Sequence, residues 1–204
     1  MPRIVCVSDT HGRHREINIP DGDVLVHAGD LTVHGYLDEL REFNAWLGTL
    51  PHRHKVVIAG NHDFCLQEQR ERARPLLTHA VYLEEEAAEI CGLMVYGSPW
   101  QPWFGGWAFN LHRGPELAAV WAKIPAGTDV LITHGPPAGI LDQTRRGDAV
   151  GCADLLQRVY EVRPRLHVFG HIHEAAGRLD VDGITFVNAC TPPGGTTVVV
   201  DRPA

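Results

Sequence analysis

Asp9-Thr10-His11 and His171-Ile172-His173 each place two groups able to bind a metal or move a proton two residues apart. Where a chain turns beyond the end of a strand, both members of such a pair can face one site. Asp30 follows Gly29, so its carboxylate can approach a cation without crowding and can bridge two of them. Asn61, within Gly60-Asn61-His62-Asp63, offers a neutral, hard amide oxygen, and His134 adds another imidazole. The donors are then the oxygens of Asp9, Asp30 and Asn61 and the imidazoles of His11, His134, His171 and His173, with no thiolate among them. Such a set suits Mn²⁺, Fe²⁺ or Zn²⁺ at two adjacent centres better than a sulfur-rich structural zinc. Two cations about 3.5–4 Å apart can hold a hydroxide and clamp both ends of an in-line displacement at phosphorus. Each short motif is common by itself; their order along the chain and their positions carry the argument.

The elements that must position these donors are legible in the apolar pattern. Residues 4–7, 24–28, 55–59, 130–133 and 166–169 are apolar runs that read as buried strands. Each ends in a polar cluster: Asp9 and His11, Asp30, Asn61 and His62, His134, then His171 and His173. Ligands of open α/β sheets lie beyond the carboxyl ends of the strands, so these clusters are expected to converge. Leu37, Leu40, Phe43, Trp46, Leu47 and Leu50 fall at helical spacing before Pro51. Further helices are predicted over 66–74, over 115–123 with Pro115 at the first position, and over 153–162 before Pro164. Residues 81–83, 90–96, 177–181, 184–187 and 196–200 read as strands, with Val181-Asp182-Gly183 as a hairpin turn.

Residues 97–114 are expected to form a long loop, and Trp100, Trp103, Phe104, Trp107 and Phe109 crowd into it. Aromatic faces can stack a nucleobase at ~1–3 kcal/mol each, or they can pin the loop to the body of the protein. Trp100, Trp103 and Trp107 are therefore candidate substrate contacts, and Arg113 a candidate partner for an anion.

Composition bounds the rest. The chain has 204 residues, 44% of them apolar and 21% charged, which suits one packed domain spanning 1–204. The net charge of −7 excludes a basic footprint for long nucleic acid and favours a small substrate. Cysteines at 6, 65, 91, 152 and 190 form no CxxC pair and read as small buried residues in a reducing compartment. Met1-Pro2-Arg3 runs directly into a strand pattern, and no apolar run approaches the ~20 residues of a membrane helix, so a cytoplasmic protein with no membrane partner is expected.

In sequence order, Asp9-x-His11, Gly29-Asp30, Gly60-Asn61-His62-Asp63, His134 and Gly170-His171-x-His173 resemble the calcineurin-like metallophosphoesterase superfamily, over residues 3 to about 200. Gly97-Ser98-Pro99-Trp100-Gln101-Pro102, Gly106-Trp107-Ala108-Phe109-Asn110 and Thr133-His134-Gly135-Pro136-Pro137 are similar to its metallophosphoesterase-domain-containing branch, related to brain-type cyclic nucleotide phosphodiesterases. The resemblance implies an α/β fold, a four-layer αββα sandwich of two mixed sheets flanked by helices, with the site at its top edge. It implies that Asp9, His11 and His173 hold one metal, that Asn61, His134 and His171 hold the second, and that Asp30 bridges. His62 would protonate the leaving alkoxide, or else hydrogen-bond a phosphoryl oxygen. Asp63 would orient that imidazole, or else cap the next helix. The expected reaction is hydrolysis of a small phosphodiester, such as a cyclic nucleotide, by in-line attack of a metal-bridging hydroxide with Mn²⁺ favoured. A phosphomonoesterase, a protein phosphatase or a metal-binding scaffold are the alternatives.

Overall fold

Successive side chains of a strand point to opposite faces, so a short strand buried along its whole length needs an apolar layer on each side. The computed structural model, which describes residues 2–195 and 197–201, supplies both layers. Its first half contains β1 (Ile4–Val7), β2 (Val24–His27), α1 (Leu37–Thr49), β3 (His54–Val57), α2 (Phe64–Glu68), α3 (Arg70–Ala73) and β4 (Val81–Tyr82). There follow β5 (Glu86–Ile90), β6 (Leu93–Ser98), β7 (Gln101–Pro102), β8 (Asn110–Leu111) and α4 (Pro115–Trp121). The last elements are β9 (Val130–Thr133), α5 (Ala153–Val162), β10 (Leu166–Phe169), β11 (Gly177–Val181), β12 (Ile184–Asn188) and β13 (Val198–Val200).

One sheet has the order β13-β1-β2-β3-β4, parallel except for β13. The other has the order β11-β12-β10-β9-β6-β5, with parallel pairing inside and antiparallel strands at both edges. Ile4, Cys6, Val24, Val26 and Val56 of the first sheet pack on Val95, Val130, Ile132, Leu166 and Val168 of the second. The intervening residues face outward: Val5, Val7, Leu25 and Val57 meet Leu40, Phe43, Trp46 and Leu47 of α1. On the far side Leu131, Phe169 and Phe186 meet Leu117 and Trp121 of α4 and Leu155 and Val159 of α5. The result is helix, sheet, sheet, helix: the four-layer αββα sandwich. Each fully buried leucine, isoleucine or phenylalanine contributes about 1.5–3 kcal/mol to holding these layers together.

Some elements depart from the sequence reading. The helix expected over 66–74 is broken at Gln69, whose φ of −122° and ψ of 37° separate α2 from α3. Residues 90–96 are not one strand; the chain reverses at Cys91 (φ 52°) and Gly92 (φ 75°), so that β5 folds back on β6. β5, Glu86-Ala87-Ala88-Glu89-Ile90, is largely exposed and was concealed because an edge strand need not be a bulky apolar run. The 97–114 loop contains β7 and β8, a two-stranded ribbon. At the end of the chain Thr196, the first residue of the strand expected there, lies outside the described residues. Cys6, Cys65, Cys152 and Cys190 are buried, but Cys91 is exposed at the hairpin turn, contrary to expectation; all five are free thiols. No helix among the described residues is long and apolar enough to cross a membrane.

Candidate metal centre

Parallel pairing sets the carboxyl ends of β1, β2, β3, β9 and β10 along one edge of the sandwich, and the loops beyond them are laced together. Asp9 N donates to Gly29 O at 3.0 Å and His11 N to Asp30 O at 3.0 Å, joining the loops after β1 and β2. Gly170 N donates to His134 O at 2.9 Å, joining those after β9 and β10. Asp9 (φ 57°), His11 (φ 42°), Asp30 (φ 56°) and His171 (φ 69°) all hold left-handed backbone. That conformation is unfavourable for residues with a Cβ and persists where surrounding contacts enforce it, as it commonly does at functional sites.

The seven candidate ligands meet in two groups around Asp30. His11 Nε2 lies 3.3 Å from His173 Nε2 and 4.0 Å from Asp9 Oδ1. His173 Nε2 lies 3.3 Å from Asp9 Oδ1. On the other side His134 Nε2 is 2.9 Å from Asn61 Oδ1, and the rings of His134 and His171 are 5.1 Å apart. Asp30 turns Oδ2 to His11 at 3.6 Å and Oδ1 to His134 at 3.5 Å, one oxygen toward each group. Asp9, Asp30, Asn61 and His134 are buried, His11 and His171 half-buried, and His173 exposed at the rim. Of these, His11, Asp30, Asn61, His171 and His173 line a cavity of about 210 Å³, together with Phe104 and Trp107.

This donor set fits divalent cations. His134 Nδ1 is 2.9 Å from the Ala28 carbonyl, which can only accept, so Nδ1 carries the proton and Nε2 of the neutral ring is a lone pair. That lone pair faces the lone pairs of Asn61 Oδ1 and Asp30 Oδ1, an arrangement that repels itself unless a cation lies between them. The electrostatics agree. Burial, then the neighbouring carboxylates of Asp9 and Asp63, push the pKa of Asp30 well above the usual range. Burial acts the same way on Asp9 but is outweighed by the His173 hydrogen bond and the nearby imidazoles, which hold Asp9 well below that range. Burial pushes His11 down to about 4 and His171 down to about 3, keeping both rings neutral and able to coordinate.

His62 reaches the same cavity from the loop after β3. Its ring is edge-on to His11 at 4.5 Å and lies against Trp107 at 4.4 Å, and its Nδ1 donates to Val33 O at 2.7 Å. Asp63 corrects both sequence readings. Its carboxylate accepts from Gly60 N (2.8 Å), Leu31 N (3.2 Å), Thr32 N (3.0 Å) and Thr32 Oγ1 (2.7 Å), and it makes no cap to α2. It neither touches the His62 ring nor caps a helix, but ties the loop after β2 to the loop after β3.

The aromatic loop divides. Trp107 lines the cavity, and Trp103 is exposed and stacked on His112 at 5.9 Å beside a neighbouring pocket. Trp100, expected as a substrate contact, instead packs among core side chains and meets Phe109 edge-on at 5.5 Å, so it pins the loop. Arg113 lies in the wall of the neighbouring pocket and turns two donors to Val150 O and Gly151 O, at 2.6 and 2.7 Å. Two contacts escape the sequence reading. Phe104, whose ring is 5.0 Å from that of His171, stands out in the sequence only as one aromatic among five. Cys190, whose Sγ is 3.1 Å from Asp9 Oδ2, carries no signal beyond its residue type.

Comparison with known proteins identifies the family. The chain is similar to human metallophosphoesterase domain-containing protein 1, 46% identical over an alignment that covers 98% of this chain and 71% of that protein. It is also similar to a UPF0046 protein of Caenorhabditis elegans, 43% identical over an alignment covering 92% of this chain and 55% of the relative. Among solved structures, TT1561 of Thermus thermophilus shares the fold with a TM-score of 0.64, at 14% identity over 93% of this chain and 89% of that one. The calcineurin-like phosphoesterase family model matches residues 2–175, so this chain belongs to the calcineurin-like phosphoesterases and is a metal-dependent hydrolase of phosphoesters.

Proposed function

We propose that the protein hydrolyses small phosphodiesters, cyclic nucleotides among them, with two divalent cations and a preference for Mn²⁺. The observation that carries this reading is the wall of the metal-facing cavity, which among the described residues includes imidazoles, Asp30, Asn61 and two aromatic rings but no lysine or arginine. A phosphomonoester arrives as a dianion and gains most from a cationic side chain beyond the metals; a diester carries one charge and depends on one less. A second pocket of about 340 Å³ adjoins the first and shares Phe104 and His171 with it. Pro102, Trp103, Pro136 and Val150 make it mainly apolar, which suits one flat substituent of the ester. A nucleobase stacked on Trp103 or Trp107 would add ~1–3 kcal/mol.

Asp9, His11 and His173 would hold one cation, Asn61, His134 and His171 the other, and Asp30, which turns one oxygen toward each group, would serve both. A bound pair of divalent cations supplies activation of water and neutralisation of charge at phosphorus. His62 supplies the proton for the leaving alkoxide from Nε2, while its Nδ1–H bond to Val33 O steadies the ring when both nitrogens are protonated. Trp107 against that ring keeps water from one of its faces. The free thiols suit a cytoplasmic setting, and the net charge of −7 argues against a long nucleic acid as substrate.

A substrate panel tests the proposal: bis-p-nitrophenyl phosphate, p-nitrophenyl phosphate, 2′,3′- and 3′,5′-cyclic nucleotides and a phosphopeptide, with Mn²⁺, Fe²⁺, Zn²⁺ or chelator. Diesters are expected to exceed monoesters in kcat/KM by about tenfold or more, with chelator and Asp30→Ala each abolishing turnover. A preference for the monoester or the phosphopeptide would overturn the diesterase reading. Wild-type rates equal to those of Asp30→Ala would leave a binding scaffold.

A further inference from the structure

We propose that the thiol of Cys190 positions Asp9, holding its carboxylate so that Oδ1 is presented to the metal while Oδ2 is kept turned away. The proposal rests on the reading of Asp9 as a ligand, and its test reads metal affinity so that the two can fail separately.

The two oxygens of Asp9 have different surroundings. Oδ1 faces the other candidate ligands, with His173 Nε2 at 3.3 Å and His11 Nε2 at 4.0 Å. Oδ2 lies 3.1 Å from Cys190 Sγ and accepts from His171 N at 2.9 Å; the same amide is 3.1 Å from Oδ1. A thiol is a weak donor to a neutral acceptor, but a buried hydrogen bond to a carboxylate is strengthened by the charge. Coordinating carboxylates are routinely oriented by such outer partners.

Cys190 is fixed well enough to act in this way. It is 6% exposed and pairs with Ser8, the residue before Asp9, in a parallel bridge. Thr191 N donates to Ser8 O at 3.0 Å, and Cys190 N donates to Asn188 Oδ1 at 3.2 Å. Asn188, fully buried at the end of β12, in turn donates to Ile172 O at 2.9 Å, between His171 and His173. One frame therefore registers the end of β12 against both the Asp9 loop and the His171–His173 loop. Asp9, His173 and Cys190 also lie close enough to form a three-ligand cluster. The thiol nevertheless approaches Oδ2, the oxygen that neither His173 nor His11 approaches, which suits an orienting donor rather than a ligand.

The test uses the 204-residue chain and its Cys190→Ser, Cys190→Ala and Cys190→Val variants. Calorimetric titration of the metal-free proteins with Mn²⁺ gives the affinity of each equivalent, and thermal unfolding monitors the fold. Cys190→Ala and Cys190→Val, which lack a donor but differ in volume, are expected to weaken one equivalent by about tenfold or more. The other equivalent should stay within about twofold, and Cys190→Ser, which keeps a donor, should recover most of the loss. Wild-type affinity in the alanine and valine variants would overturn the proposal, as would a serine variant as weak as alanine. An intense thiolate-to-metal band in Co²⁺-loaded wild type, absent from Cys190→Ser, would also overturn it by making Cys190 a ligand. Wild-type protein that binds no Mn²⁺ would overturn the metal centre itself and this inference with it.

Discussion

The Val33 carbonyl accepts the Nδ1 proton of His62, and this single contact leaves Nε2 as the nitrogen through which the ring can exchange a proton. His62→Ala is expected to retain both metals and the thermal stability of the parent while turnover falls about 10²–10⁴-fold, as measured by metal analysis beside a diester assay. Loss of metal and fold together would instead make His62 structural. The adjacent residue behaves in the opposite way. Asp63 accepts bonds from residues on two loops, and Asp63→Ala would leave those buried donors unpaired. We expect urea unfolding of that variant to lose on the order of 3 kcal/mol or more. The sequence places Asp63 next to His62, which suggests a partnership with that imidazole. Its hydrogen-bonded neighbours Leu31 and Thr32 lie 32 and 31 residues away, out of reach of any motif.

The strand ends were legible because they are local. An apolar run that stops at Asp9, Asp30, Asn61, His134 or His171 needs no tertiary knowledge to be noticed. What the strand ends need in order to meet is close approach, and glycine supplies it. A Cβ on Gly170, directly beyond β10, would overlap both Asp9 Oδ2 and Ser8 Oγ. Gly170→Ala is therefore expected to separate the β1 and β10 ends, lowering stability by about 1–3 kcal/mol and weakening Mn²⁺ binding in calorimetric titration. A variant with unchanged stability and metal affinity would show that the two loops can shift apart at no cost. The β5–β6 hairpin was not legible, because Glu86–Ile90, two glutamates around two alanines before Ile90, has no β-branched or aromatic run and its turn, Cys91-Gly92, lacks the usual Asn or Asp before glycine. The break at Gln69 was likewise invisible, since nothing in its residue type stops a helix.

At the scale of the whole molecule, burying histidines between layers couples stability to pH. His167 on β10, packed near Phe169 and Phe186, is pushed down to about 3 by burial, and burial also drives His27 to about 3. An unfolded histidine titrates near 6.5, so between about pH 6.5 and pH 3 the unfolded chain binds the extra proton. Their contribution to stability is complete above about pH 6.5 and is lost as the pH falls, with a slope of about 1.4 kcal/mol per unit for each residue. Urea unfolding of His167→Gln should show a pH profile flatter than wild type by about that slope between about pH 6 and pH 4. An identical slope would mean that His167 already carries its proton in the fold. The amino-acid sequence by itself determined which donors exist, their order, and the apolar strands that end at them, because buried runs and strand-end polarity are written within a few residues, while the layered sandwich followed only from the family resemblance. Only the tertiary structure decided the lone pair on His134, the oxygen of Asp9 that faces His173 and His11, the task of Asp63 and the partner of Cys190. Those depend on contacts such as His134 Nδ1 with Ala28 O, 106 residues apart, and Cys190 Sγ with Asp9 Oδ2, 181 apart. A hydrogen bond is directional and is set by where the chain returns, whereas hydrophobic burial is not directional and leaves its period in the sequence.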